Sequence, residues 1–157
     1  MLPAINEGAN GSLTAIMNTA CAVGFGSVVK IVPGFVLLKN VVLNMPGSIL
    51  FSEAVAVNIL AGATGSASGG MSIALEALGS QFLEKAAQIG LNPKNLHRIA
   101  PIASGGLDTL PHNGAVLTLL AVSNCKHKES YLDICVTSCI IPVVASLVLA
   151  FVWGLFI

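Results

Sequence analysis

One stretch restricts the fold of this chain more than any other. Residues 99–122 are apolar at both ends and polar in the middle, where Ser104-Gly105-Gly106-Leu107-Asp108-Thr109-Leu110-Pro111-His112-Asn113-Gly114 places a carboxylate, a histidine, an asparagine, a proline and three glycines in eleven residues. A continuous helix would not choose that centre. Proline removes a backbone donor and clashes one turn back, and glycine is a poor helix former. In lipid, irregular backbone survives only where it is buried in protein or lines a watery cavity. The stretch therefore predicts a broken membrane helix whose gap holds a polar site, as in secondary transporters.

Whether the surroundings are lipid or water is decided by composition. Of 157 residues, 55% are hydrophobic and only 9% charged, against about 25% charged in soluble domains. Mean hydropathy is +0.88. The chain reads as an all-α membrane protein forming a single transmembrane domain over 1–157. Net charge is zero, so no basic field invites nucleic acid. The first Lys or Arg is Lys30, so no basic region precedes the first apolar run and no cleaved signal peptide is expected.

Taken in order, residues 8–29 carry no charge for 22 residues, about 33 Å of helix, enough to span the hydrocarbon core. Asn10-Gly11-Ser12 suits a helix start and also matches a glycosylation acceptor, a weak pattern. Residues 30–46 are interrupted by Lys30, Pro33, Gly34, Lys39, Asn40, Asn44 and Pro46. They read as an interfacial segment, or alternatively as a span with a snorkelling lysine. Residues 53–78 carry a run of nine small residues, Gly62-Ala63-Thr64-Gly65-Ser66-Ala67-Ser68-Gly69-Gly70. Two readings are open: a spanning helix that packs closely through its glycines, or a re-entrant hairpin with this run at its tip. The hairpin is favoured, with Glu53 and Glu76 as interface residues near its mouth.

Residues 79–98 form a surface connector, with an amphipathic helix ending at Gly90 and a turn starting at Asn92-Pro93. Residues 134–157 have no charge for 24 residues, about 36 Å of helix, with Trp153 as an interface anchor and Pro142 as a tolerated kink. Cys21, Cys125, Cys135 and Cys139 read as small buried apolar residues. Lysine and arginine counts do not settle orientation.

A carrier must hold an anion without trapping it, and helix N-termini do this with backbone amides. Two are expected here, after the glycine tip and after Pro111-His112-Asn113-Gly114. Thr64, Ser66, Ser68, Ser104, Thr109 and Asn113 would line the pocket between them with neutral donors and acceptors. That set suits a hydroxylated carboxylate. Asp108 and His112 are the candidate proton-coupling groups, because ionisable residues inside a bilayer are functional by default and histidine changes charge near neutral pH. The bland alternatives are a helix cap for Asp108 and a hydrogen-bonded structural role for His112. Gly24-Phe25-Gly26 lacks the context of a phosphate loop, and no nucleophile elbow or metal cluster can be assembled. An enzyme, a metal site and an organic cofactor are therefore not expected.

Asn6-Glu7-Gly8-Ala9-Asn10-Gly11-Ser12, the glycine tip, and the string from Ser104 to Gly114 together resemble the gluconate permease family. Members are proton-coupled carriers of gluconate and related sugar acids or hydroxy acids, similar to the wider ion-transporter superfamily of inverted repeats. The resemblance implies that residues 62–70 are the second repeat's hairpin tip and 108–114 its break, that H+ is the coupling ion, and that the Lys126 loop is cytoplasmic. Family members are longer, so the chain corresponds to a C-terminal part. An N-terminal half-permease chain is then the expected partner, beside membrane lipid and a small organic anion such as gluconate, in a multi-pass plasma-membrane protein. A homo-oligomer is compatible with this. The alternative is a non-transporting membrane subunit or truncated relic whose polar centre only packs helices.

Overall fold

The computed structural model describes residues 31–156, together with Ile5, Asn6, Gly8, Ala9, Ser12, Leu13, Ile16, Met17, Ala20, Cys21, Gly24 and Val28. Most of the spanning helix expected over 8–29 lies outside the described residues. The elements are α1 (Pro33–Leu43), α2 (Ile49–Thr64), α3 (Ala67–Gln88), α4 (Pro93–Ser104), a 3-10 turn (Leu107–Thr109), α5 (Gly114–Ser123), α6 (His127–Ile134), a π-helical segment (Cys135–Ile140) and α7 (Ile141–Leu155). Among the described residues there is no strand.

Helices α2 and α3 fold back on each other as a hairpin joined by Gly65 and Ser66 alone. The turn is shorter than the nine small residues suggest, because both helices run into that sequence. Gly65 closes α2 in the left-handed region, φ +60°, where glycine carries no Cβ penalty. The amide of Ser66 reaches back to the Ala61 carbonyl at 3.2 Å, the six-to-one bond of a glycine-terminated helix. Ser66 then caps α3, its hydroxyl accepting from Gly69 N at 3.1 Å. The arms pack backbone to backbone: a Cβ on Gly70 would lie 2.2 Å from Ala61 Cα.

Helix α3 continues to Gln88, so the boundary drawn at residue 78 is not a break. Gly90 is left-handed, φ +71°. Asn92 and Pro93 start a helix rather than a free turn, with Asn92 capping Lys94 N at 3.0 Å and Pro93 in the first turn, where its missing donor costs nothing.

The elements α6, π and α7 form one continuous helix, His127–Leu155, long and apolar enough to cross a membrane. It begins earlier than residue 134 and takes in the charged turn containing Glu129 and Asp133. Only 17% of its most apolar window is buried among the described residues. Val136, Ile140, Val144, Val148, Phe151 and Leu155 are exposed along it. Their spacing makes one apolar stripe, the face expected against lipid. Pro142 has no N–H to give the Ser138 carbonyl, and that carbonyl instead accepts from Thr109 Oγ1 at 2.9 Å. A threonine from the break thus satisfies the backbone group that the proline leaves open.

The core lies among α2, α3 and α4, with Leu50, Ile73, Leu78, Phe82 and Ile99 fully buried. Glu53 is buried with them at 1% exposure, so its side chain faces packed helices rather than solvent. It occupies one of the packed faces of α2, a helix covered by α1, α3, α4 and α7. Cys139 is buried, but Cys125 and Cys21 are exposed, so burial does not hold for all the cysteines.

Candidate functional site

Contacts along the long helix set the level of each element. Ser48 lies against Gly154, Asn58 Nδ2 donates to Ser146 Oγ at 3.2 Å, Thr109 meets Ser138, and Pro111 O lies 3.2 Å from His127 Nε2. At 1.5 Å per residue these contacts cover about 40 Å. The hairpin starts beside the Trp153 end and points its tip towards the His127 end. Helix α4 runs alongside it and stops at Ser104. The backbone of Gly106 then presses against α2, where a Cβ would fall 2.1 Å from Asn58 Oδ1. A larger residue there would have to displace the Asn58 and Val143 side chains.

The tip and the break meet. Asn113 Nδ2 donates to Gly65 O at 2.8 Å and to Asp108 O at 2.7 Å. Its Oδ1 accepts from Ala115 N at 2.6 Å and Val116 N at 3.0 Å, capping α5. The His112 ring covers the tip, with its Cδ2 2.9 Å from where a Cβ on Gly65 would sit. Leu107 packs against Gly62 in the same way.

Four successive carbonyls of the break have identified partners. Asp108 O is taken by Asn113 Nδ2, Thr109 O by the Tyr131 hydroxyl at 3.2 Å, Leu110 O by Asn113 N at 2.8 Å, and Pro111 O by His127 Nε2. His127 and Tyr131 stack on one another, centroids 5.6 Å apart. This accounting is what irregular backbone needs in an apolar setting.

The residues expected to line an anion pocket are placed unequally. Thr64 Oγ1 turns back onto Leu60 O at 2.8 Å and Ser104 Oγ onto Pro101 O at 2.8 Å. Ser66 caps α3, Thr109 serves Ser138, and Asn113 uses its full bonding capacity on the backbone. Ser68 and His112 are exposed. Asp108 is half-buried, and its Oδ1 is buried with no hydrogen-bond partner. Both expected helix N-termini are present at the junction, and each already has a side-chain cap.

Sequence reasoning missed two polar groups. Asn58 is buried inside α2, donating to Ala54 O at 2.9 Å and to Ser146 while its Oδ1 has no partner. Glu53 likewise has a buried Oε2 without one. Asn58 stands four residues before Gly62 on the face that meets the break, and that spacing was the available signal. A cleft of about 310 Å³ lies away from the junction, lined by Ser48, Leu50, Ile89 and Gly154 among others.

The fold and site define an all-helical protein with a helical hairpin, an interrupted helix locked to its tip, and a helix of membrane-crossing length. No family model matches the chain, and no solved structure matches it. Over 130 residues it is 48% identical to a Bacillus subtilis (strain 168) protein named "Uncharacterized transporter YxjC". The match covers 83% of this chain and 28% of that protein, so the chain spans little more than a quarter of its relative's length.

Proposed function

We propose that the chain is the C-terminal part of a secondary transporter for gluconate or a related sugar acid or hydroxy acid, coupled to protons through Asp108 and His112. The observation that carries this reading is the Asn113 bond to Gly65, because a hairpin tip tied to a broken helix is the arrangement in which carriers hold substrate. Identity to a protein named as a transporter supports the broad class. The substrate, the coupling ion and a multi-pass place in the plasma membrane follow from the sequence resemblance. The remainder of the carrier, as an N-terminal half or its equivalent, supplies the other wall of the pocket. In this reading the anion meets the exposed side of the junction, at His112 and Ser68.

The test is uptake of labelled gluconate into vesicles containing the chain and an N-terminal half. Asp108→Asn and His112→Ala are each expected to lower uptake at least tenfold. Unchanged uptake in both variants refutes the assignment. A second reading, a non-transporting membrane subunit, is favoured by the hydroxyls of Thr64, Ser104 and Thr109, which all serve backbone carbonyls. It predicts no uptake with any N-terminal half, although the chain is stable in membranes.

A further inference from the structure

We propose that Asn113 is a positioning residue that registers the hairpin tip against the break through its donation to Gly65 O. This rests on the carrier reading for its purpose, but not for its geometry. One side chain that is 6% exposed makes two separable attachments. Its Oδ1 holds α5 by accepting from Ala115 N and Val116 N. Its Nδ2 holds two other pieces of backbone, Gly65 at the tip and Asp108 in the turn. The acceptor half is an ordinary helix cap that a serine or aspartate can also supply. The donor half has no such substitute, because two carbonyls converge on one amide nitrogen.

The consequence for the site is specific. Asp108 is held by its backbone while its side-chain Oδ1 stays without a partner. The His112 ring is held over Gly65 by its neighbour's bond to that same residue. Both candidate coupling groups therefore sit on backbone that Asn113 helps to hold, Asp108 through its own carbonyl and His112 through Gly65. Releasing Nδ2 would free the Gly65 and Asp108 carbonyls while α5 remains capped.

Asn113→Asp separates the two attachments. It keeps the acceptor for α5, removes both donations, and sets a carboxylate against two carbonyl oxygens. The assay is disulfide formation between cysteines at positions 66 and 112, in the full chain in membranes with the four native cysteines changed to alanine. Rapid cross-linking is expected with Asn113, and an approximately tenfold slower rate with Asn113→Asp. Tyr131→Phe in the same cysteine pair removes the bond to Thr109 O in the break without touching Nδ2 and should leave the rate unchanged. If Asn113→Asp does not fold, Asn113→Ser retains a cap and also lacks the reach to Gly65. An unchanged rate in the folded Asn113 variant overturns the inference, as does an equal loss in Tyr131→Phe, which would make register a matter of general stability.

A second readout separates positioning from plain destabilisation. In vesicles with an N-terminal half, Asn113→Asp is expected to lower the maximal uptake rate about tenfold while the half-saturating gluconate concentration stays within about twofold. Loss of apparent affinity at full maximal rate would instead make Asn113 a direct substrate ligand and overturn the inference. Absence of uptake with Asn113 intact defeats the carrier reading, whereas the cross-linking result still judges the tether.

Discussion

Replacing Gly70 by alanine tests how the hairpin is held together. An added Cβ would lie 2.2 Å from Ala61 Cα, 2.3 Å from Ala61 N and 2.6 Å from Leu60 C. All three are backbone atoms of the opposite arm, so no side chain can turn aside. Ordinary contact begins near 3.4 Å, and α2 and α3 must therefore part by about 1.2 Å at that point. The parting loosens the buried neighbours Leu60, Ile73 and Ala74. Overpacking against a compliant core costs about 1–3 kcal/mol, and a backbone-to-backbone clash belongs at the upper end. Alanine returns about 1 kcal/mol of helix propensity, leaving a net loss of about 2 kcal/mol. Gly79 in the same helix is the control, since its added Cβ would meet nothing closer than Leu75 Cβ at 4.0 Å. Gly79→Ala should stabilise by about 0.5–1 kcal/mol. Thermal unfolding in detergent should show the two alanines moving the midpoint in opposite directions, Gly70→Ala downward by about 4–8 °C. Equal midpoints would refute the reasoning, because the close approach of the two arms would then carry no energetic weight.

Further outcomes follow from single contacts. Tyr131→Phe removes the donor to Thr109 O and should cost about 1 kcal/mol, read as a lower thermal midpoint with helix content unchanged by circular dichroism. Glu53→Leu should raise the midpoint, because it replaces a buried carboxyl oxygen that lacks a partner with an apolar group of similar size; a fall of more than 1 °C would show that Glu53 makes a needed interaction. Gly65→Ala forces a left-handed residue to carry a Cβ that also strikes the His112 ring. It should cost about 1–2 kcal/mol in stability and should lower gluconate uptake through the displaced His112, measured in the same vesicles as Asp108→Asn.

The sequence alone determined the helical, apolar character of the chain and the places where helices end. Proline and glycine act on their own backbone, and Ser48, Ser66, Asn92 and Asn113 cap helices within three residues of themselves, so these choices are legible locally. The length of charge-free runs likewise speaks for itself, which is why a membrane-crossing helix is visible in the sequence and its start at His127 is not: a charged turn can join a helix when neighbouring backbone needs its side chains. Tertiary structure decided the rest. Glu53 reads as an interface residue at the hairpin mouth, where a carboxylate can stay solvated, yet the packing of other helices around α2 encloses its side chain. Thr109 reads as a pocket donor, and its hydroxyl turns to the Ser138 carbonyl, 29 residues away, which only the folded chain brings within reach. The pairing of Asn58 with Ser146 spans 88 residues, and that of Asn113 with Gly65 spans 48. A hydrogen bond is made by distance in space, and separation along the chain carries no record of it until the helices have packed.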